Sequence, residues 1–184
     1  VDICQLGMDQ RKVNMLAREI APKIKRKKPI AVHHHMLMGL TAPSETNLKG
    51  ADAAIAKKMS KSNPDSAIFM TDTTKDIQRK ISKAFCPEKI ALENPILEYN
   101  KYMVFERFDS VKIERPDKFG GDVLYKTYAE MESDFTTGKL HPMDLKTATA
   151  SYIDKLIEPT RKHFEKNTKA KDLLEQVQSF QITR

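Results

Sequence analysis

Lys58 and Lys61 stand three residues apart in the run Lys58-Met59-Ser60-Lys61-Ser62, with hydroxyls on Ser60 and Ser62. Asn63-Pro64-Asp65 follows and marks a turn. Two ammonium groups on one short loop suit a particular chemistry: steadying a polyphosphate while negative charge builds on its leaving oxygens. Ser60 and Ser62 can bind phosphate or fix the loop. Met59, flexible and apolar, reads as the packing anchor of this loop rather than as a contact. A second candidate is Gly7-Met8-Asp9-Gln10-Arg11-Lys12, placed between a strand-like run and a helix-like one. Gly7 lets a ligand approach the backbone closely, as glycines do at strand-to-helix turns of nucleotide folds. Asp9 either accepts hydrogen bonds from a ribose hydroxyl or caps the following helix. Gln10 offers both a donor and an acceptor.

The elements that must carry these groups follow from apolar spacing. Ile3-Cys4-Gln5-Leu6 reads as a strand. Val13, Leu16, Ala17 and Ile20 fall on one helical face, and Pro22 with the basic run Lys23 to Lys28 ends that helix. Ile30 to His35 restarts as a strand, so the first segment is one βαβ unit of a parallel sheet. His33, His34 and His35 alternate along it, so at most two share a face, and no fourth ligand at metal spacing accompanies them; no metal site is expected.

Residues 41–57 are polar, then alanine-rich, and leave two alternatives, a helical extension or a mobile arm. Ser66 to Met70 reads as a short extended run. Thr73 with Asp76 resembles a capping pair for a helix bearing Ile77, Ile81 and Phe85 on its inner face. Asn94-Pro95 opens a further helix. Val111 to Arg115 and the residues after Gly121 read as two short strands. Tyr128 to Thr136, Asp144 to Ile157 and Lys171 to Ile182 read as helices, with Leu145, Ala148, Thr149, Tyr152, Ile153 and Leu156 facing inward on the second. A boundary between Pro87 and Pro95 separates an α/β part, 1–90, from a mostly helical part, 91–184.

Composition bounds the class. The chain has 184 residues, 40% of them apolar and 31% charged, which suits a globular fold with a real core. Apolar runs fall short of the roughly 18–20 residues a membrane span needs. Cys4 and Cys86, far apart in sequence, read as reduced thiols rather than a disulfide framework. The net charge of +7 is compatible with a polyanionic partner.

Lys58-Met59-Ser60-Lys61-Ser62 resembles the KMSKS loop of class I aminoacyl-tRNA synthetases, and the Gly7 to Gln10 turn is similar to that of the tyrosyl- and tryptophanyl-tRNA synthetases. Arg115-Pro116, Phe119-Gly120-Gly121-Asp122 and His141-Pro142-Met143-Asp144-Leu145-Lys146 resemble the archaeal/eukaryotic tyrosyl type. The resemblance runs to about Phe164. It implies an α/β fold: the second half of a Rossmann-like class I synthetase catalytic domain, then a mostly α-helical anticodon-binding domain. It implies ATP, accompanied by Mg²⁺, L-tyrosine and tRNA(Tyr) as partners, a cytoplasmic setting, and a homodimeric or tandem pseudo-dimeric parent. Lys58 and Lys61 would be catalytic; Gly7, Asp9, Met59, Ser60 and Ser62 would meet ATP; Gln10 would meet the tyrosine amino end. Phe119, His141 and Asp144 would read the anticodon, with aromatic stacking and edge recognition as the means. Asp144 would accept from the N–H edge of a guanine, or serve as the N-cap of its helix. The chain lacks a histidine-x-glycine-histidine motif and starts in strand-like sequence, so it is expected to be a C-terminal piece that is inactive alone. The rival assignments are a tryptophanyl enzyme and a non-catalytic tRNA-binding half of a tandem synthetase.

Overall fold

A computed structural model describes residues 1–41, 59 and 63–180. They form two compact units. The first holds residues 1–38; the second holds 39–41, 59 and 63–180.

In the first unit, strand β1 (Ile3–Gly7) passes through a 3-10 turn (Met8–Gln10) into helix α1 (Arg11–Ile20), and the chain returns as β2 (Ile30–His34). The two strands pair in parallel, Ile3 opposite Ile30 and Gly7 opposite His34. The βαβ reading holds. Its packing does not follow the pattern: no residue of α1 is buried, and the expected inner stripe is open, with Val13 64% and Leu16 55% exposed. One helix on a two-stranded sheet supplies a single thin layer, too little to enclose an apolar stripe. Polar cross-bracing holds the unit instead. The Arg18 guanidinium donates to the Pro29 carbonyl, and Asn14 Nδ2 lies 3.0 Å from His33 Nε2.

The second unit carries the core. Helix α2 (Thr74–Lys83) has a full capping box, Thr73 accepting from the Asp76 N–H while Asp76 accepts from the Thr73 N–H. Ile77 and Ile81 are buried as expected, but Phe85 lies beyond the helix end, where its N–H donates to the Leu40 carbonyl at 2.7 Å. The turn expected at Asn63-Pro64-Asp65 is a 3-10 turn, Pro64–Ser66, which takes in the first residue of the run expected to be extended; Ala67 after it is extended. Helix α3 (Pro95–Tyr99), capped by Asn94, runs through a π-helical turn (Asn100–Val104) into α4 (Phe105–Arg107). Strands β3 (Val111–Ile113) and β4 (Val123–Tyr125) make an antiparallel hairpin. Helix α5 (Tyr128–Thr136) is capped reciprocally by Thr127 and Glu130. Helix α6 (Pro142–Lys166) continues through Pro159 well past the Asp144 to Ile157 span expected, and α7 (Thr168–Ser179) follows, capped by Asn167.

Helix α6 is the spine of this unit; α2, α3, α7 and β3 all pack on it. Its buried stripe is Leu145, Thr149, Ala150, Ile153 and Ile157. Tyr152 is half-buried, its hydroxyl accepting from the Lys112 N–H at 2.8 Å. Ile77, Ile81, Ile96, Val111, Met131, Phe135 and Leu140 are all fully enclosed, each such side chain stabilising the fold by roughly 1.5–3 kcal/mol. A buried polar link joins α6 to the π turn: Asn100 Nδ2 donates to Thr149 Oγ1 at 2.7 Å, and Thr149 donates to the Leu145 carbonyl at 2.7 Å.

Candidate functional site

Three sequence-expected residues, Phe119, His141 and Asp144, surround one cavity of about 450 Å³ in the second unit, together with Arg115, Gly138, Lys139 and Met143. Three local structures build it. Phe119 ends the 3-10 turn Asp117–Phe119, which Gly120 closes with a φ of 96°, a left-handed conformation that favours glycine. The Phe119 ring is 60% exposed, so it stands at the rim and not in the core. Lys118 Nζ sits 4.9 Å from its centroid.

The opposite wall comes from the end of α5. Gly138, at φ 82°, turns the chain out of the helix, and the N–H groups of Lys139 and Leu140 both return to the Asp134 carbonyl, at 2.9 and 3.0 Å. His141 then starts α6. Its Nδ1 accepts from the Met143 N–H at 3.1 Å, so the other ring nitrogen, Nε2, is the one that carries a proton for donation in the neutral ring. His141 is therefore the N-cap of the helix, which corrects the alternative that gave this role to Asp144. Pro142 and Met143 intervene, leaving Asp144 in the first turn, half-buried. There its charge complements the helix N-terminus. Among the described residues its carboxylate has no hydrogen-bonded or ionic partner, so its acceptors remain available at the cavity wall.

Arg115 ties the two walls together. Its Nε donates to the Gly121 carbonyl at 2.9 Å and its Nη1 to the Lys139 carbonyl at 2.8 Å. The Asp122 carboxylate accepts from the Arg115 N–H at 3.1 Å and pairs with Lys112 at 2.8 Å. The Lys112 hydrogen bond, then that of the Arg115 N–H, holds the Asp122 carboxyl below the usual carboxylate range. Behind the wall, the Tyr125 hydroxyl donates to Asp134 at 3.1 Å. Burial, the Asp134 charge and that hydrogen bond push the hydroxyl up to about 12. The cavity thus offers a flat aromatic face, an acceptor-only carboxylate and an imidazole donor in fixed relation, a combination suited to a planar polar ring.

The first unit holds the second group. Gly7 is buried and extended, with φ −66° and ψ 161°, so it needs no special backbone conformation. Space is the reason for glycine: an added Cβ would collide with the Met36 sulfur and lie 2.8 Å from Asp9 Oδ1. Asp9 and Gln10 are exposed on the 3-10 turn, and Gln10 Nε2 donates to Asp9 Oδ2 at 3.2 Å. Asp9 is not the N-cap of α1: that position is Gln10, with no side-chain cap.

Lys58, Ser60, Lys61 and Ser62 lie outside the described residues, as do 42–57 of the 41–57 segment where a helical extension or mobile arm is expected. Met59 is half-buried. The segment just after the loop is firmly anchored. Arg79 donates to Asp65 at 2.8 Å. Lys80, buried, donates to the Ala67 carbonyl at 3.0 Å and pairs with Asp72 at 2.6 Å. Sequence reading missed Arg115 as a clamp and Lys80 as an anchor. The second left a signal, since Lys80 lies in the same helical stripe as Ile77 and Ile81, where a lysine must find a buried partner.

Comparison with known proteins gives the lineage. Residues 1–158 match the family model described as tRNA synthetases class I (W and Y). The whole chain is 50% identical to a part of tyrosine–tRNA ligase 2, cytoplasmic, of Arabidopsis thaliana, covering 23% of that relative. It is 44% identical to the tyrosine–tRNA ligase of Thermococcus sibiricus, covering 52% of it. The crystal structure of tyrosyl-tRNA synthetase from Pyrococcus horikoshii superimposes with a TM-score of 0.84 at 41% identity, over 96% of this chain and 51% of that one. A tryptophanyl-tRNA synthetase from Giardia lamblia shares the fold at a TM-score of 0.58 and 24% identity. The chain spans about half or less of the length of these curated relatives. It belongs to the class I tRNA synthetases of the tryptophanyl and tyrosyl family.

Proposed function

We propose that this chain is the C-terminal portion of a tyrosine–tRNA ligase of archaeal/eukaryotic type, contributing the lysine loop of the catalytic domain (1–90) and the anticodon-binding domain (91–184). The observation that carries the reading is the meeting of Phe119, His141 and Asp144 around one cavity in a chain whose likeness to tyrosine ligases extends over its whole length. In activation, a tyrosine carboxylate oxygen attacks the α-phosphorus of ATP, the bond to the bridging oxygen breaks, and pyrophosphate leaves. Lys58 and Lys61 balance the charge that grows on the departing oxygens, a stabilisation larger in the transition state than before it. Ser60, Ser62 and Met59 seat the loop against ATP. Gly7 admits the nucleotide to the backbone, Asp9 accepts from its ribose, and Gln10 meets the tyrosine amino group. Mg²⁺ would accompany ATP, held mainly by the phosphates, and would supply charge neutralisation there. The tyrosyl group then passes to tRNA(Tyr).

In the second unit, Phe119 stacks on the first anticodon base, Asp144 accepts from the N–H edge of that guanine, and the His141 Nε2 proton reaches the next base. This reading sets the protein in the cytoplasm, supported by an Arabidopsis relative named as cytoplasmic, and as a homodimer or tandem pseudo-dimer. Among the described residues no helix is long and apolar enough to cross a membrane.

Pyrophosphate exchange on the intact protein tests the amino acid: it should depend on tyrosine and not on tryptophan. Asp144→Ala should reduce discrimination between tRNA(Tyr) and a transcript changed at the first anticodon base by roughly tenfold or more, the worth of a hydrogen bond to a charged group. Equal discrimination by both proteins would remove Asp144 from the reading.

A further inference from the structure

We infer that Arg161 is a positioning residue for the lysine loop: with Asp154 it bolts the loop's downstream anchor to helix α6. This rests on the reading of Lys58 and Lys61 as the groups that stabilise the leaving pyrophosphate.

Arg161 and Asp154 lie seven residues apart, two turns along one face of α6, and pair at 2.8 Å with only 15% and 23% of their side chains exposed. The guanidinium also reaches off the helix. Nη1 donates to the Asp72 carbonyl at 3.0 Å, and Nη2 also lies 3.3 Å from Thr74 Oγ1. The Thr74 hydroxyl donates to both Asp154 oxygens, at 3.0 and 3.1 Å. One fork from α6 therefore grips the residues on either side of Thr73, the cap of α2.

Asp72 is the joint. While its carbonyl is held by Arg161, its carboxylate accepts from Lys80 at 2.6 Å and from the Phe69 N–H at 3.0 Å. Lys80 continues inward. Its ammonium also donates to the Ala67 carbonyl and lies 4.5 Å from the Phe69 centroid, so all of its directions are used. From Ala67 the chain runs back through the Pro64–Ser66 turn to Asn63, the residue bonded to the lysine loop. Asp65 in that turn is held by Arg79. The path from α6 to the end of the loop is thus a series of charge-assisted bonds between backbone carbonyls and side chains. A fork with two simultaneous backbone and hydroxyl partners fixes direction as well as distance, which a lysine at position 161 could not reproduce. Apolar packing of α2 on α6 already supplies cohesion there. The polar fork adds orientation, and orientation is what a loop must have to meet phosphates in the transition state.

The test uses single-turnover formation of tyrosyl-adenylate by the intact protein, with tyrosine affinity measured separately. Arg161→Gln should slow the step by about 3- to 30-fold, the usual range for residues acting through an intervening structure, and leave tyrosine affinity within about twofold. Arg161→Lys should recover only part of the loss. Asp154→Asn should slow the same step, and the double variant should be no slower than the worse single one, because the two residues form one device. If Arg161→Gln does not fold, Asp154→Asn alone carries the test by the same readout. Lys61→Ala run alongside separates the two levels: a slow Lys61→Ala with Arg161→Gln and Asp154→Asn at the native rate overturns the inference alone. Loss of rate and tyrosine affinity together, in step with the folded fraction, reduces Arg161 to a structural contact and overturns it as well. An unchanged rate in Lys61→Ala would remove the loop chemistry and this role for Arg161 with it.

Discussion

Residues 1–38 and the helical unit around α6 obey the same local rules and end in opposite states of burial. In the first, the amphipathic helix α1 and the parallel pair β1–β2 form on schedule, yet Ile3, Leu6, Val13, Leu16, Ile30 and Val32 remain exposed. In the second, similar stripes on α2, α5 and α6 close over Ile77, Ile81, Phe135 and Ile153. Local pattern creates an apolar face in both places. Only a second layer turns that face into a core, and among the described residues one unit has such a layer while the other does not. A chain that covers about half of its Thermococcus relative is consistent with a first unit built to be covered by further fold.

The largest test of this contrast is Phe135→Ala. Phe135 is fully enclosed, and its truncation should cost about 3–5 kcal/mol in urea unfolding of the second unit. A cost below about 1 kcal/mol would mean that the enclosed core is far looser than its burial shows. A smaller, sharper test uses the wall of the cavity. Tyr125 has a folded-state value raised to about 12, above the ordinary tyrosine value near 10. Its contribution to stability is therefore fully present below about pH 10 and lost as pH rises through about 12. An ultraviolet difference titration against Tyr125→Phe should show this buried phenol ionising well above the ordinary tyrosine range; ionisation near the ordinary value would mean that the Tyr125–Asp134 contact is not held in solution. The smallest effect belongs to Leu16→Ala. At 55% exposure it should shift the stability of this chain by within about 0.5 kcal/mol. The same change in the longer protein proposed above should cost several times more, and an equal, small cost in both would contradict the idea that further fold covers this face.

Legibility followed the range of the interactions. The capping box at Thr73, the Asn94-Pro95 start and the span of α5 depend on contacts within four residues, and they stand where apolar spacing and capping chemistry put them; the Thr127–Glu130 box is equally local and comes from the structure. Helix α6 outran its expected end because nothing in its composition stops it before Asn167, Pro159 being tolerated within it. The N-cap is His141 rather than Asp144 because Pro142 takes the first helical position, where its missing N–H costs nothing; histidine is a less common cap. Phe119, His141 and Asp144 were named from motif spelling, but their gathering around a single cavity depends on Arg115 reaching the Gly121 and Lys139 carbonyls.

Residue types, spacing and local turns suffice to specify the elements, their caps, the family likeness and the groups able to do chemistry, since all of these are short-range properties of the chain. Which stripe becomes a core, which histidine holds a helix start, and how Arg161 reaches Asp72 across 89 positions depend on folding in three dimensions. Contacts between distant segments carry no periodic signature, and their energies arise only once water has been excluded between surfaces that the linear order keeps apart.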